Sequence, residues 1–397
     1  MSVRAESQPQ APGVVTFDDA PKAGFINFGV GQPSPDLLRV DLVRQASERF
    51  LAEAEPLDLN YGATSGDVRF REALGRLLDE EYGQPTSPDS LFVTGGNSHA
   101  LDFICSRFAA PGDTVLVEDP SYFLAFQIIR DHGLKIVGIP MDDDGIDVEQ
   151  LEQAVKRHRP TLLYTIPSYQ NPTGRTMSRE RREKLVALSR AYDFTIVADE
   201  VYQLLHYGEP PPPALGTYAE QGNVLSMGSF SKILAPAMRL GWIQTDRKHM
   251  QTLMASGVVN SGGSFNHYAS HIVRHAIESG SLAEHMAILR QHFCARVAAM
   301  DEALQEQLGD QLRWRRPDGG YFFWLEMLRD VDTARLREHI DEFQTGFQPG
   351  VLFTPGGNGL HNFLRLSFAH YLEDDIREGI GRLAALVRTH GSDERGS

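Results

Sequence analysis

The stretch TVLVEDPSYFLAFQIIRDHGLKIVGI (residues 114–139) contains two short apolar runs separated by a segment of helical length. The same succession continues on both sides, with further apolar runs at 91–94, 161–166, 194–199 and 223–227. We expect helices between most of these runs, at 98–109, 121–132, 147–158 and 179–192. Alternating strands and helices are typical of a parallel sheet with helices on both faces, and continuous apolar strands suit burial on both faces. The pattern predicts an α/β large domain over residues 56–280.

Beyond about residue 280 the predicted elements are two strands and three helices: strands at 321–326 and 363–368, and helices near 282–308, 332–343 and 372–389. This order indicates a smaller α+β domain over residues 281–397. We expect residues 1–55 to form an N-terminal arm and part of the small domain, with a helix that Asp36 caps. A further helix is predicted from Asp67 to Tyr82, and the cleft between two such domains is a common place for a ligand.

The composition excludes several classes of protein. The chain has 397 residues, 41% of them hydrophobic, and a net charge of −15. These values are ordinary for a globular protein, and the negative charge argues against a nucleic-acid partner. No apolar run approaches the ~20 residues that span a membrane, and the first twelve residues lack an apolar signal core. With only Cys105 and Cys294, which are too few to staple a chain of this length, we expect reduced thiols and a cytoplasmic protein.

The motif GSFSKILAPAMRLGW (228–242) contains the first candidate catalytic residue, Lys232. Its neighbours are Ser229, Ser231 and Arg239, and no carboxylate lies between residues 221 and 245. A lysine among neutral groups and near an arginine has its ammonium form disfavoured, so that it becomes a nucleophile for an aldehyde. The hydroxyls and the guanidinium together suit a phosphate. The alternative is a solvated lysine on a loop.

Two candidate residues lie at or just beyond the end of the apolar run FTIVAD (194–199). Asp199 closes the run, where a buried carboxylate needs a cation such as a protonated pyridine nitrogen. Tyr202 stands three residues later and could donate a hydrogen bond to a phenolate oxygen. The alternative for Asp199 is the N-cap of a following helix.

Other candidates lie at the ends of predicted strands, and one lies inside a strand. Asn171, in a tight Asn-Pro turn, could sit beside the same phenolate oxygen, although a plain turn is the alternative. Tyr122 could stack on a planar cofactor or simply line a cleft. Arg365 lies inside an apolar strand and suits a carboxylate ligand, with a structural ion pair as the alternative. Residues placed to bind a phosphate at a helix N-terminus, or to form an ordinary βα turn, are Gly96, Asn97 and Ser98.

Eight motifs occur in one order along most of the chain: YGATSGDVRFREAL, TGGNSHAL, EDPSYF, PSYQNPTGRTMS, ADEVY, GSFSKILAPAMRLGW, PDGGYFFW and LRLSFA. With these motifs the chain resembles the fold-type I pyridoxal-phosphate-dependent enzymes, the class I/II aminotransferases. It is most similar to the subgroup of 2-aminoadipate aminotransferases and MocR-type regulator effector domains. The resemblance implies a mainly parallel, seven-stranded-type sheet sandwiched by helices, with a smaller α+β domain.

The resemblance also implies roles for individual residues. Lys232, Asp199 and Tyr202 match the catalytic residues, with Lys232 as the imine-forming lysine and proton shuttle. The positions that match binding residues for pyridoxal 5′-phosphate are Gly96, Asn97, Ser98, Tyr122, Asn171, Asp199, Tyr202, Ser229, Ser231, Lys232, Arg239 and Tyr61. Those that match substrate-binding residues are Gly31, Asn171 and Arg365. Tyr61 matches a tyrosine that reaches the phosphate of a neighbouring subunit, which implies a homodimer with shared active sites.

The reaction implied is a ping-pong Schiff-base transfer of the amino group of an L-amino acid to a 2-oxo acid, with 2-oxoglutarate favoured. A pyridoxal-phosphate lyase or decarboxylase on the same fold is the alternative enzyme. A regulator's binding module is disfavoured, because only about 25 residues precede the matched region and a winged helix-turn-helix needs more. His267, His271 and His275 share a helical spacing, but the outer two would lie about 12 Å apart, and we expect no metal site.

Overall fold

The computed structural model describes residues 24–391. Within them the strands are β1 (Ile26–Asn27), β2 (Leu91–Thr94), β3 (Thr114–Asp119), β4 (Lys135–Asp142), β5 (Gly145–Ile146), β6 (Leu162–Thr165), β7 (Thr195–Asp199), β8 (Val224–Ser229), β9 (Gly241–Thr245), β10 (Leu312–Trp314), β11 (Phe322–Met327), β12 (Thr345–Gly346), β13 (Gln348–Pro349) and β14 (Phe363–Ser367). The helices are α1 (Val40–Glu53), α2 (Val68–Tyr82), α3 (Asn97–Phe108), α4 (Phe123–Asp131), α5 (Val148–His158), α6 (Arg179–Tyr192), α7 (Arg247–Met254), α8 (Gly257–Gly262), α9 (His267–Glu278), α10 (Ser281–Leu308), α11 (Thr333–Leu336), α12 (Ile340–Phe343) and α13 (Glu373–His390).

The larger sheet has the strand order β2-β9-β8-β7-β6-β3-β4-β5. Neighbours from β8 to β4 are parallel, whereas β9 is antiparallel to both β2 and β8. The predicted α/β fold with a mainly parallel sheet is therefore confirmed, as seven strands extended by the two-residue hairpin strand β5. Strand β9 was missed from the sequence because its first two residues, Gly241 and Trp242, are also the last two of the motif around Lys232.

Alternate side chains of the inner strands enter two separate apolar cores. On β3, Val115 and Val117 belong to the main core, whereas Leu116 packs into a smaller cluster with Leu151 of α5 and Leu185 of α6. Successive residues of a strand point to opposite faces, so a strand covered on both sides must be apolar at consecutive positions. This burial explains why the inner strands are uninterrupted apolar runs.

A second, antiparallel sheet has the order β10-β11-β14-β13, and β1 pairs separately with β12. Helices α10 and α13 pack against each other. The predicted helix at 332–343 is divided into α11 and α12 by a 3₁₀ turn at Arg337–His339. Although α10 has 28 residues, no helix in residues 24–391 carries an apolar stretch sufficient to cross a lipid bilayer.

The two predicted helix starts near the N-terminus had different outcomes. Helix α2 begins just after Asp67, as predicted, and the structure shows that Asp67 caps it, because its Oδ1 accepts a hydrogen bond from the Phe70 backbone N–H at 2.9 Å. The prediction that Asp36 caps α1 was wrong, since Asp36 lies in a 3₁₀ turn and its carboxylate pairs with Arg296 at 3.0 Å. A guanidinium as buried as that of Arg296 needs such a partner. Helix α1 packs on α9.

Candidate active site

Four parallel strands, β3, β6, β7 and β8, end at the same edge of the larger sheet. Ligands in open α/β sheets gather at this carboxyl edge. Asp199 is the last residue of β7, and the Lys232 turn follows the end of β8 directly. The predicted site residues of these two segments are thereby brought to one place by the topology.

Asp199 is a buried carboxylate with two hydrogen-bond donors. Its Oδ1 accepts from the Asn97 side-chain amide at 2.6 Å, and its Oδ2 accepts from the Tyr164 hydroxyl at 2.9 Å. Burial raises the pKa of the Asp199 carboxyl, while the two hydrogen bonds oppose that rise. A cation placed against this carboxylate, such as a pyridinium nitrogen, would recover part of the cost of burying it. Asn97 thus supplies its side chain to Asp199 and its backbone to the first turn of α3.

Replacing Tyr164 with phenylalanine removes one donor from Asp199 without changing the ring. We expect the free energy of unfolding to fall by about 1–3 kcal/mol, because a buried acceptor is left unsatisfied. Denaturant unfolding of the variant and of the unchanged protein measures the difference. The matched control is Tyr192→Phe, whose hydroxyl bonds an exposed glutamate, Glu152, and which should change stability by less than about 0.5 kcal/mol. Equal losses in both variants would contradict the role assigned to Tyr164.

Lys232 is partly buried and bonds a backbone carbonyl rather than a carboxylate. Its Nζ donates to the Gly31 carbonyl oxygen at 2.7 Å and lies 5.1 Å from the ring centre of Tyr321. Burial, aided by the charge of Arg365 and opposed by that of Asp199, lowers the pKa of Lys232 to about 8. A substantial fraction of this amine is therefore neutral near physiological pH and able to attack an aldehyde.

Arg365 is 3% exposed, and none of the carboxylates in residues 24–391 forms an ion pair with it. Its guanidinium donates to Asn171 Oδ1 and to the Gly29 carbonyl oxygen, both at 2.9 Å, and Nε has no partner. It lies 4.1 Å and 5.1 Å from the ring centres of Phe322 and Phe353. The alternative of a structural ion pair is wrong for this residue, because its charge is buried without an anion.

The predicted phosphate residues meet between the N-terminus of α3 and the turn after β8. Ser231 donates its backbone N–H to Ser229 Oγ at 3.1 Å, and the two hydroxyls are 2.9 Å apart. Gly96, at φ 89°, caps α3, and a Cβ built there would stand 3.1 Å from an Arg239 guanidinium nitrogen. A helix N-terminus, two hydroxyls and a guanidinium are donors that suit a phosphate dianion. Ser98, next along α3, is exposed.

These groups fit a pyridoxal phosphate as a set: the donors of the phosphate cradle, an amine, and a buried carboxylate that would accept from the ring nitrogen. The sequence profile of the family described as aminotransferase class I and II matches residues 23–383. The chain belongs to this family. Its cofactor is pyridoxal 5′-phosphate. The residues that would hold it are Lys232, Asp199, Ser229 and Arg239.

Similar proteins support this assignment. The chain is 33% identical over 369 residues to the aromatic-amino-acid aminotransferase 1 of Thermococcus litoralis, covering 91% of this chain and 88% of that one. It is 29% identical to an uncharacterised HTH-type transcriptional regulator, YisV, of Bacillus subtilis, covering 93% and 75%. The solved structure of LysN, the α-aminoadipate aminotransferase of Thermus thermophilus, bound to N-(5′-phosphopyridoxyl)-L-leucine, superimposes with a TM-score of 0.82 at 30% identity and 92% coverage of both chains. The resemblance to the 2-aminoadipate and MocR subgroup is confirmed.

Three tyrosines predicted to act at the aminotransferase site differ in position. Tyr202 packs against the rings of Tyr321 and Phe322, whose centroids are 5.5 Å and 5.9 Å from its own. Burial raises the pKa of its hydroxyl well above the usual value, so the hydroxyl stays a proton donor. Burial, with the nearby charge of Asp199, raises the pKa of Tyr122 to about 12. Tyr61 is 81% exposed.

Several residues around the site were missed in the sequence. Tyr164 lies inside an apolar strand, where a tyrosine has no distinguishing signal. Glu118 is fully buried near the end of β3. It accepts hydrogen bonds from Thr165, from the Ile166 N–H at 3.1 Å and from Gln170 at 3.1 Å. These bonds stabilise the loop that leads to Asn171. Its signal was present, since a glutamate closes the apolar run TVLV. Burial raises its pKa, as it does that of Asp199.

Proposed function

We propose that this aminotransferase moves the amino group of an L-amino acid to a 2-oxo acid, with 2-oxoglutarate as the acceptor, in ping-pong order. The observation that carries the proposal is that Arg365 and Lys232 both donate hydrogen bonds to one short segment of the chain. Arg365 donates to the carbonyl of Gly29, and Lys232 donates to the carbonyl of Gly31, two residues further on. An amino acid and a 2-oxo acid both present a carboxylate next to the reacting carbon. Arg365 can therefore bind the carboxylate, and Lys232 can face the reacting carbon, in both half-reactions.

Arg365 binds the carboxylate of each substrate. Its guanidinium is held by Asn171 and Gly29 and flanked by two aromatic rings, so the fork is oriented before the substrate arrives. Two parallel N–H···O bonds to a carboxylate are strong and fix its direction. Because no carboxylate of the described residues pairs with Arg365, its charge gains an anionic partner only when the substrate binds. Binding is thereby coupled to correct placement of the α-carbon.

Lys232 carries the proton. When bound, pyridoxal phosphate supplies an electron sink that weakens the Cα–H bond of the substrate. The neutral Lys232 Nζ would accept the Cα proton of the substrate and give it back from its ammonium form, so that one side chain would act first as base and then as acid. A general base works best when its pKa is near the operating pH, and burial has brought this amine to about 8. Asp199 would balance the positive charge of a protonated ring nitrogen, and Tyr202 would donate a hydrogen bond from a hydroxyl whose pKa is raised by burial.

The depressed pKa of Lys232 gives an expected pH dependence. Below about pH 8 the amine is mostly protonated, and above it the neutral nucleophile predominates. In protein freed of cofactor, acylation of Lys232 by an amine-reactive reagent should reach half its plateau rate near pH 8, whereas a model lysine peptide does so near its reference pKa of about 10.4. Mass spectrometry of the labelled peptide follows the rate. A profile for Lys232 that coincides with the model peptide would contradict the depression.

The decisive assay separates transamination from the alternative lyase or decarboxylase. Donor amino acids are scanned with 2-oxoglutarate, beginning with the aromatic amino acids and α-aminoadipate, the classes that the names of the relatives print. The proposal expects equal amounts of a 2-oxo acid and glutamate. Release of ammonia or carbon dioxide in step with donor consumption, without glutamate, would reject it.

We also propose a homodimer whose sites are shared, with each chain divided into a large domain over 56–280 and a smaller one formed by the remainder. The support is that Leu57, Leu59 and Tyr61, close together in the sequence, are 75%, 65% and 81% exposed, because apolar side chains that are exposed together mark interaction surfaces. The exposure of Tyr61 leaves its side chain available to a second chain.

A complementation experiment tests the shared site. Tyr61→Ala and Lys232→Ala are each expected to be impaired, but a heterodimer of the two contains one site with both changes and one site with neither. Random mixing of subunits should then restore about a quarter of the unchanged activity, as expected for a two-fold dimer with shared sites. Light scattering checks that dimers form. Mixed samples no more active than the average of the two variants would exclude sharing through Tyr61.

A further inference from the structure

A cluster of two histidines and one glutamate lies far along the chain from the cofactor residues. His339 precedes α12, Glu342 lies within it, and His390 is the last residue of α13. His339 Nδ1 is 2.9 Å from Glu342 Oε1, and His390 Nε2 is 3.5 Å from Glu342 Oε2. One nitrogen or oxygen from each residue lies within 4.8 Å of the others. Each carboxylate oxygen therefore faces a different imidazole.

The chemistry of these three groups suits a transition metal. Imidazole nitrogens and a carboxylate oxygen are the ligands that zinc uses in open sites with three protein ligands and a water. His339 and Glu342 are three residues apart, so they share one side of their turn. All three side chains are reachable, with side-chain exposures of 37%, 60% and 27% for His339, Glu342 and His390. The hydrogen bond from His339 lowers the pKa of Glu342, which favours the ionised carboxylate.

Other histidine–carboxylate pairs in the described residues lack the third ligand. His132 pairs with Asp102 at 2.8 Å and His361 with Asp330 at 2.6 Å, each with a single imidazole. His267 and His271 approach to 3.2 Å through their Nε2 atoms, whereas His275 faces Arg274 and Glu53. Among residues 24–391, the three-ligand grouping occurs only at His339, Glu342 and His390.

We propose that His339, Glu342 and His390 bind one Zn²⁺ ion, with a fourth position open to water. The two imidazoles are stacked, with centroids 3.8 Å apart and planes inclined by 9°. A metal ion lies in the plane of each imidazole that binds it, so the rings splay apart on binding and the ligand atoms close to about 2.0–2.2 Å from the ion. Their partial exposure leaves room for that rotation. The ion joins α12 to the end of the final helix.

The experiment titrates ZnCl₂ into the tag-free holoenzyme by calorimetry. Variants His339→Ala and His390→Ala remove one ligand each, and His361→Ala is the control because it deletes an exposed histidine with one carboxylate partner. We expect one equivalent of zinc in the unchanged protein and in the control. Loss of a ligand should weaken binding at least as much as loss of an outer-shell group does, about 10–100-fold.

A spectroscopic readout separates coordination from loose association. Co²⁺ bound in place of zinc should show the visible d–d bands of a low-coordinate nitrogen–oxygen site, and these bands should vanish in His339→Ala and His390→Ala. Unchanged transaminase activity of both variants confirms that they fold, because neither residue contacts the cofactor site. Zinc affinity that is the same in all four proteins, or absent in the unchanged one, overturns the proposal. Zinc binding that survives both deletions would show that the ion binds elsewhere and would reject this site.

Discussion

Replacing Lys232 with alanine is expected to lower the rate of amino transfer by at least about 10⁴-fold, since it removes both the nucleophile and the proton-transfer group. The Gly31 carbonyl and the Tyr321 ring, which now face the amine, would lose that partner. Single-turnover mixing with a saturating amino acid measures the loss without interference from product release. The variant should still bind cofactor through the phosphate cradle, but borohydride should no longer fix it to the chain.

The matched control for this variant is Lys248→Ala. Lys248 is exposed near the start of α7, and its backbone carbonyl rather than its amine makes the hydrogen bond there. Its loss should leave the rate and the borohydride labelling unchanged. Partial recovery of the Lys232→Ala rate by small primary amines would show that a missing base, not a collapsed site, causes the defect. Full turnover by Lys232→Ala would refute the assignment of the nucleophile and, with it, the proposed reaction.

Replacing Arg365 with alanine is expected to reduce kcat/KM for amino acids and oxo acids by about 10²–10⁴-fold. This range follows from losing two hydrogen bonds to a charged group, each contributing about 1.5–3 kcal/mol. Arg365→Lys should recover only part of the loss, because an ammonium cannot form the planar two-point contact. The charge of Arg365 also depresses the pKa of Lys232, so its removal should shift the acylation profile of Lys232 to higher pH.

Arg313→Lys is the control, since Arg313 lies on the same antiparallel sheet but is exposed and pairs with Glu326 at 3.5 Å. It should keep the unchanged kcat/KM and pH profile. Amines without a carboxylate provide a second check, because their slow turnover should not depend on Arg365. A carboxylate substrate that is processed equally well by Arg365→Ala would transfer the anion-binding role to another residue.

Much of the fold was predictable because burial on two faces leaves a clear pattern. The inner strands β3, β6, β7 and β8 were located from their apolar runs, and α2 was located from the helical spacing of its apolar residues. Helix breaks within polar segments were not, as the division of α11 and α12 shows. Strand β9 was not predicted, because it begins inside the motif around Lys232 and its residues were read as part of that motif.

The linear order of residues was enough to identify which side chains have the chemistry for this reaction: an amine without nearby carboxylates, an acid closing a strand, and a cation inside an apolar strand. Residue types and their neighbours along the chain carry that information, because strand periodicity and local charge are short-range properties. Only the folded chain determined that Asn97 and Tyr164 share Asp199, and that Gly29 and Gly31 join Arg365 to Lys232. Those contacts join segments separated by 35 to 336 residues, and such pairings depend on strand order and domain packing, which no local pattern records.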